Sequence, residues 1–195
     1  ALAGSGSLGM EAGLANLEKH VENVELFGYK PVIALNRFPS DAPEEIALVR
    51  AFAEERGLPF APSEVYAQGG EGGLELAERV LEALDLPHAY RPLYPLEASL
   101  EAKVEAIATR VYGAEGVEWS EEAKRALKAA KKEGCEALPV VVAKAATSLS
   151  DNPRLRGRPR GFTVRVTDLR CRLGAGFRVV YMGGVETRPG LPKTP

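Results

Sequence analysis

The sequence has few of the residues that usually carry metal or redox chemistry. Its 195 residues include two cysteines, Cys135 and Cys171, and two histidines, His20 and His88. Two isolated cysteines do not make a disulfide framework or a metal cluster, so we interpret them as reduced core thiols. The two histidines are far apart in the sequence, so we interpret each as an ordinary surface or partly buried residue and not as a metal ligand. We therefore predict no metal site.

Long apolar runs are also missing. No stretch of 18 apolar residues occurs, although apolar residues make up 45% of the chain and charged residues 27%, so we predict no membrane-spanning segment. The N-terminus has neither the basic start nor the apolar core of a signal peptide. We expect a globular cytoplasmic protein. Because the chain starts without Met, we interpret it as a fragment.

The common nucleotide-binding and catalytic motifs are absent or out of context. A P-loop needs a lysine after its last glycine, because that ammonium reaches the β and γ phosphates, and no Gly-Lys pair occurs. The stretch "GSGSLG" (4–9) matches a dinucleotide pattern, but only three residues precede it and no strand can form there. No Ser/His/Asp or Cys/His arrangement is evident. The catalytic residues are therefore unknown from the sequence.

Charge is divided unevenly along the chain, although the net charge is only −2. Residues 1–90 carry 6 basic and 15 acidic residues, whereas residues 91–195 carry 19 basic and 12 acidic ones. Such a division suggests two lobes that attract each other, or one lobe that faces an anion.

Apolar spacing in the first part of the chain predicts helices that alternate with strands. "KPVIALN" (30–36) is typical of a strand buried on both faces, and "LPFAPSEVY" (58–66) is a second strand candidate that Pro62 weakens. Asp41 and Glu44 form a capping-box-like pair. The alternation predicts parallel strands covered by helices. The helical stripes are Leu14, Leu17, Val21 and Val24 before a stop at Gly28, then Ile46, Val49 and Phe52 before Gly57, then Leu74, Ala77, Val80, Leu81 and Leu84.

Residues 86–96 contain three prolines and are predicted to be a linker. We predict an α/β fold class, with a parallel-strand lobe over residues 1–90 and a smaller mixed α+β lobe over residues 91–195. The elements predicted for the second lobe are a helix through Leu100, Val104, Ile107 and Val111, a helix from a cap at Ser120 to Gly134, a buried strand at 138–145, an Arg-rich loop at 147–160, a hairpin of "FTVRVTD" and "FRVVYM" around 174–176, and the irregular tail "TRPGLPKTP".

Two loops follow the two predicted strands of the first lobe, at the edge where ligands bind in open α/β folds. The loop "NRFPSD" (36–41) carries Phe38, and the later loop begins with Tyr66. The two rings either pack under their loops or hold a flat ligand between them. Stacking on an aromatic ring contributes ~1–3 kcal/mol per nucleic-acid base, and a pterin is similar in shape and polarity.

The later loop, within "EVYAQGGEGGLEL" (64–76), is rich in glycine. Gly69, Gly70 and Gly72 permit a ligand to approach the backbone closely, and they expose the amides of the helix near Leu74 to an anion. The alternative is a tight strand-to-helix turn, which the local sequence alone favours.

Arginines are concentrated in the last third of the chain. These arginines form one of four things: a solvated basic face, a docking surface for the acidic half of the chain, a site for an anionic ligand, or a nucleic-acid site. Because the net charge is −2 and no stacking motif lies between the arginines, we predict that nucleic acid is not a partner. These residues are Arg154, Arg156, Arg158, Arg160, Arg165, Arg170 and Arg172.

Five stretches in register resemble the formate–tetrahydrofolate ligase family, also called formyltetrahydrofolate synthetases. They are "NLEKHVENV", "ALNRFPSD", "SEVYAQGGEGGLELAERV", "SLSDNPRLRGRPRGFTV" and "PGLPKTP". The resemblance covers roughly residues 12–195 and only the C-terminal third or so of these longer enzymes. It implies that ATP phosphorylates formate and that the N10 amine of tetrahydrofolate attacks formyl phosphate, which gives 10-formyltetrahydrofolate. The P-loop and the formyl-phosphate site belong to the part that precedes this segment.

The resemblance also implies roles for particular residues. Phe38 and Tyr66 match the two aromatics that sandwich the pterin, and most family members have Trp at the second position. Gly69, Gly70 and Gly72 would let the pterin edge approach the backbone. The family's enzymes are typically cytoplasmic homotetramers helped by a monovalent cation.

We therefore predict the folate-binding portion of a ligase. It would bind ATP only together with an N-terminal partner chain that carries the P-loop. One alternative is a stand-alone or vestigial folate-binding protein without ligase activity. Another is a regulatory or interaction module that uses the basic lobe.

Overall fold

The computed structural model of the chain describes residues 9–132 and 134–185. The chain divides into two compact units, residues 1–92 and residues 93–195. Unit 1 contains a two-stranded parallel sheet and unit 2 a four-stranded mixed sheet, each with helices. This architecture confirms the predicted α/β class. All but the last residue of "GSGSLG" and the whole tail "TRPGLPKTP" lie outside the described residues.

Unit 1 alternates helices and strands along the chain, as the apolar spacing predicts. Its strands pair in parallel, with Ile33 opposite Phe60 and Asn36 opposite Ser63. Both strands therefore end at the same edge of the sheet. The elements are α1 (Met10–Glu25), β1 (Ile33–Asn36), α2 (Pro43–Glu55), β2 (Phe60–Ser63), the single turn α3 (Val65–Gln68), a 3-10 turn (Gly69–Gly73) and α4 (Leu74–Leu84).

The core of unit 1 lies on one side of β1. Val21 of α1, Val49 and Ala53 of α2, and Ile33 of β1 are buried together with Leu58 and Phe60. The prediction that β1 is buried on both faces is wrong, because Ala34 and Asn36 are exposed. Within the described residues no element covers that face of the strand.

Asp41 does not cap α2, so the predicted capping box is wrong. The helix follows Ala42 and has no side-chain cap, although Pro43 takes the first-turn position as expected. The Asp41 carboxylate instead accepts a hydrogen bond from the backbone N–H of Phe38 at 2.8 Å. The Asp41 N–H in turn donates to the Phe38 carbonyl at 3.0 Å. The side chain thus closes the loop that precedes the helix.

Helix α4 forms where predicted, but its apolar face is not covered. Leu74, Leu81 and Leu84 are 61%, 64% and 67% exposed, and Ala77 is exposed as well. Their spacing places these four side chains on one face of the helix. No residue of α4 is buried in the described chain. We call these four residues the α4 stripe.

Unit 2 is built around an antiparallel hairpin with a parallel strand added on each side. The sheet order is β3-β5-β6-β4, and β5 and β6 form the predicted hairpin. Strand β3 is not among the elements predicted from the sequence. The elements are α5 (Leu100–Ala106), a π-helical turn (Ile107–Tyr112), β3 (Gly116–Trp119), α6 (Glu121–Lys132), β4 (Val140–Ala143), β5 (Thr163–Arg172), a 3-10 turn (Leu173–Ala175) and β6 (Phe177–Met182).

The inner face of this sheet packs on α5. Leu100 and Val104 of α5 have no exposed surface and share a core with Val164, Val180 and Met182. The strand predicted as buried at 138–145 is an edge strand, since among the strands of the described residues β4 pairs with β6 alone, and Val141 is 47% exposed.

Local signals at the helix ends and the cysteines mostly agree with expectation. The Ser120 hydroxyl accepts a hydrogen bond from the Ala123 N–H at 3.1 Å, which confirms the predicted cap of α6. Within the described residues neither cysteine forms a disulfide; Cys135 is buried, whereas Cys171 is half-buried. Among the helices of the described residues, none combines the length and apolar character that crossing a membrane requires.

Candidate functional site

Two exposed aromatic rings meet at the carboxyl edge of the unit 1 sheet. Phe38 follows β1 and Tyr66 follows β2, because the parallel pairing ends both strands at this edge. Their ring centroids are 5.9 Å apart with an interplanar angle of 49°. Phe38 is 46% exposed and Tyr66 is 83% exposed. The two rings are therefore not packed beneath their loops.

Charged side chains connect the two loops that carry these rings. The guanidinium of Arg37 donates to Glu64 at 2.5 Å, and the Arg37 N–H donates to the Ser63 carbonyl at 2.9 Å. The side-chain amide of Gln68 donates to the other carboxylate oxygen of Glu64. The half-buried Glu64 thus lies between the loops and orients polar groups beside the rings. We name Phe38, Tyr66, Arg37, Glu64 and Gln68 the strand-end site.

The three glycines of the later loop that were predicted to line a ligand site differ in what surrounds them. A Cβ on Gly72 would lie 2.5 Å from the backbone carbon of Glu64, so the loop can fold onto itself only without a side chain there. Gly69 has φ +62°, which favours glycine. Gly70 faces open space, with nothing within 4 Å of a Cβ. The backbone is therefore accessible from outside at Gly70, whereas Gly72 is needed for the turn.

The loop geometry predicts different effects for alanine at two neighbouring glycines. We expect Gly72→Ala to lower the free energy of unfolding of unit 1 by about 1–3 kcal/mol, because the added methyl group overlaps the Glu64 backbone. The matched control Gly70→Ala should change it by less than about 0.5 kcal/mol. Urea unfolding of both variants measures the difference, and equal losses would contradict this account of the loop.

The strand-end site has the chemical character of a site for a flat molecule with polar edges. The ring faces are apolar, and the charged groups lie next to them. In the structure the rings touch each other, whereas a planar guest between two parallel rings needs a separation of about 7 Å, twice the carbon contact distance. Tyr66 lies on the single turn α3, and its exposure leaves room for the ring to move away from Phe38.

Lys144 forms hydrogen bonds with the backbone at the start of the Arg-rich loop of unit 2. Its ammonium donates to the carbonyls of Ala145, Ser148 and Ser150 and lies 4.7 Å from the ring centroid of Tyr112. Burial lowers the pKa of Lys144. The arginines around this loop are mostly exposed: Arg154, Arg156, Arg160, Arg165, Arg170 and Arg172 are exposed, and Arg158 is half-buried.

The sequence predicted the two rings of the strand-end site but not the charged groups between their loops. Arg37 and Glu64 are 27 residues apart, and no local pattern pairs them. Arg37 directly follows the predicted strand 30–36 and precedes Phe38, and that position was an available signal for a polar group at this edge of the sheet. Glu64 lies within the predicted strand 58–66, so the sequence prediction did not place it at the strand end.

Comparison with known proteins gives a consistent result over nearly the whole chain. A family model described as formate–tetrahydrofolate ligase matches residues 5–195. A formate–tetrahydrofolate ligase of Thermus thermophilus is 97% identical over 186 residues, which are 95% of this chain and 34% of that protein. One of Staphylococcus aureus is 43% identical over 186 residues, with the same shares. The chain therefore spans about a third of the length of the curated relatives it matches.

Proposed function

The chain belongs to the formate–tetrahydrofolate ligase family, and we propose that it supplies the folate-binding part of such an enzyme. The observation that carries the proposal is the exposed pair Phe38 and Tyr66 at the carboxyl edge of the unit 1 sheet. The pterin of tetrahydrofolate is flat and polar at its edges, so two ring faces and the charged groups beside them suit it.

Binding in this proposal separates the two rings. The Tyr66 ring moves away from Phe38, and the pterin enters between the two faces. Each stacked face contributes about 1–3 kcal/mol by analogy with nucleic-acid bases. Glu64 accepts hydrogen bonds from N–H groups at the pterin edge, and Arg37 donates to the carbonyl oxygen of the pterin. The exposed backbone near Gly69 and Gly70 completes the wall, while Gly72 maintains the turn.

The proposed reaction needs groups that this chain does not provide. ATP phosphorylates formate, the N10 amine of tetrahydrofolate attacks the carbonyl carbon of formyl phosphate, and inorganic phosphate leaves. Phosphoryl transfer requires a cradle and positive charge around the phosphates, and the sequence has no Gly-Lys pair to build a P-loop. We assign that role to a partner region or chain that carries the P-loop. The whole enzyme is proposed to be a cytoplasmic homo-oligomer helped by a monovalent cation.

The α4 stripe supports a partner on unit 1. Leu74, Ala77, Leu81 and Leu84 form a continuous apolar face that the described residues leave exposed. A helix with such a face is normally packed against another element. We propose that the part of the ligase outside this chain covers it, since the chain spans only 34% of the relatives.

Calorimetry with tetrahydrofolate and ATP, each titrated separately into this chain, tests the proposal. We expect weak folate binding and no measurable heat from ATP. The chain alone should make no 10-formyltetrahydrofolate, and product should appear when the remaining part of the Thermus thermophilus relative is added. Product from the chain alone would refute the need for a partner. Folate binding without product in the mixture would favour a folate-binding protein that lacks ligase activity.

A further inference from the structure

A short turn carries the Phe38 ring of the strand-end site. The turn consists of Phe38, Pro39, Ser40 and Asp41, and the Asp41 N–H donates to the Phe38 carbonyl at 3.0 Å. A hydrogen bond between these positions closes a β-turn, and a proline at the second position fixes the φ angle there. This bond joins two backbone groups, so it does not depend on which side chain stands at position 41.

The Asp41 side chain adds a second hydrogen bond across the same turn. Its carboxylate accepts from the Phe38 N–H at 2.8 Å, a distance typical of a charged acceptor. The preceding residue, Arg37, donates its N–H to the Ser63 carbonyl of β2 at 2.9 Å. The backbone on both sides of the Phe38 Cα is therefore fixed relative to the sheet. Because the ring is attached there through a side chain with few rotamers, its direction is fixed as well.

The Asp41 carboxylate bonds to Phe38 although another use lies close by. Asp41 is next to Ala42 at the start of α2, where an aspartate often accepts from the free N–H groups of the first helical turn, yet α2 has no side-chain cap. Residues 37–40 are all exposed, so water could serve the Phe38 N–H if the carboxylate were absent. The bond thus contributes order at Phe38 more than it meets a need of the fold.

The two rings of the site are held with different firmness. Tyr66 lies on the single turn α3 and is 83% exposed, whereas Phe38 is 46% exposed and is fixed by the three backbone bonds described above. A ring that is already fixed loses little freedom when a ligand stacks on it. Ordering one flexible side chain during binding weakens affinity by about 2- to 12-fold, and a fixed ring avoids this loss.

We propose that Asp41 is a positioning residue of the folate site. Its carboxylate holds Phe38 as the fixed wall on which the pterin stacks, while Tyr66 is the wall that moves. This inference rests on the proposed folate function of the strand-end site. Asp41 does not touch the pterin and acts only through Phe38, so any side chain that accepts the same hydrogen bond should replace it, with or without a charge.

Calorimetry with tetrahydrofolate tests this role in three single variants. We expect Asp41→Ala to weaken affinity about 2- to 12-fold, and Asp41→Asn to stay within about twofold, because the amide oxygen accepts the same bond. Glu44→Ala is the matched control: it removes an exposed carboxylate from the first turn of α2 and should keep the affinity. Equal losses in Asp41→Asn and Asp41→Ala would show that the charge acts on the ligand directly and would overturn the positioning role.

A double-mutant cycle separates an effect through the ring from any other effect. In a chain that already carries Phe38→Ala, the further change Asp41→Ala should alter folate affinity by less than about 1.5-fold, since no ring is left to position. If the full loss persists in that background, Asp41 acts by another route and the proposal is wrong.

Hydrogen exchange of the Phe38 amide, measured by NMR without ligand, gives a readout that does not depend on folate. Exchange should be faster in Asp41→Ala than in the unmodified chain and unchanged in Glu44→Ala. If Phe38→Ala weakens folate binding and Asp41→Ala does not, the positioning role is overturned and the folate site stands. If Phe38→Ala leaves folate affinity unchanged, the folate site and the positioning role are both overturned.

Discussion

Replacing both rings of the strand-end site, by Phe38→Ala together with Tyr66→Ala, is expected to weaken tetrahydrofolate binding at least about 30-fold. Each stacked ring contributes about 1–3 kcal/mol, and about 1.4 kcal/mol corresponds to tenfold in affinity. Two rings together contribute about 2–6 kcal/mol, which corresponds to a loss between about 30-fold and about 20,000-fold. Calorimetry of the double variant against the unmodified chain measures it.

The loss should come from the site and not from unfolding. Phe38 is 46% exposed and Tyr66 83% exposed, so their truncation should change the free energy of unfolding by less than about 0.5 kcal/mol per ring. Urea unfolding of the alanine variants separates a loss of the site from a loss of folding.

Tyr66→Trp should tighten tetrahydrofolate binding, because an indole offers a larger stacking face than a phenol.

Unit 1 offers a matched control for this experiment. Tyr29 and Tyr90 are also exposed, at 43% and 64%, and their centroids are 6.3 Å apart, but neither follows a strand. Tyr29→Ala with Tyr90→Ala should leave folate affinity unchanged. If this control loses as much affinity as the Phe38 and Tyr66 variant, or if that variant keeps its affinity, the folate site is not where we propose it.

Gly28→Ala is expected to be the most damaging single alanine substitution in unit 1, with a loss of about 3–5 kcal/mol in the free energy of unfolding. Gly28 has φ +84°, where an L side chain is strained by about 1–2 kcal/mol. A Cβ would also lie 1.8 Å from the carbonyl oxygen of Ala89, so the backbone must move. Urea unfolding measures the loss.

Gly57→Ala separates the backbone strain from the close approach. Gly57 has a similar φ of +60°, but the nearest atom to its Cβ would be the flexible Lys30 ammonium at 3.9 Å. We expect this variant to lose only about 1–2 kcal/mol. Equal losses in the two variants would mean that contact with Ala89 does not limit the substitution.

The reason for the difference at Gly28 is a segment distant in sequence. The Ala89 N–H donates to the Gly28 carbonyl at 3.2 Å, and the Arg91 N–H donates to the Phe27 carbonyl at 3.1 Å. Residues 89–91 therefore run beside the turn that follows α1. The sequence predicted Gly28 as a helix stop, which is confirmed. No pattern in the sequence predicted the contact between Gly28 and Ala89.

The errors in the predicted fold have a common cause. The strand at 138–145 is an edge strand and the α4 stripe is exposed, although both patterns are typical of buried elements. An apolar pattern tells which side chains share a face, but the number of neighbours depends on the whole arrangement. The missed strand β3 is four residues long and is recognisable mainly by its pairing with β5.

The sequence by itself determined the order and type of most elements, the turns that need glycine, and the family to which the chain belongs. These features depend on residues close together in the chain, through helix and strand periodicity, backbone sterics and short motifs. Only the tertiary structure decided that the rings of Phe38 and Tyr66 touch and that Arg37 pairs with Glu64. Those features depend on distances and burial between distant segments, and chain folding alone sets them.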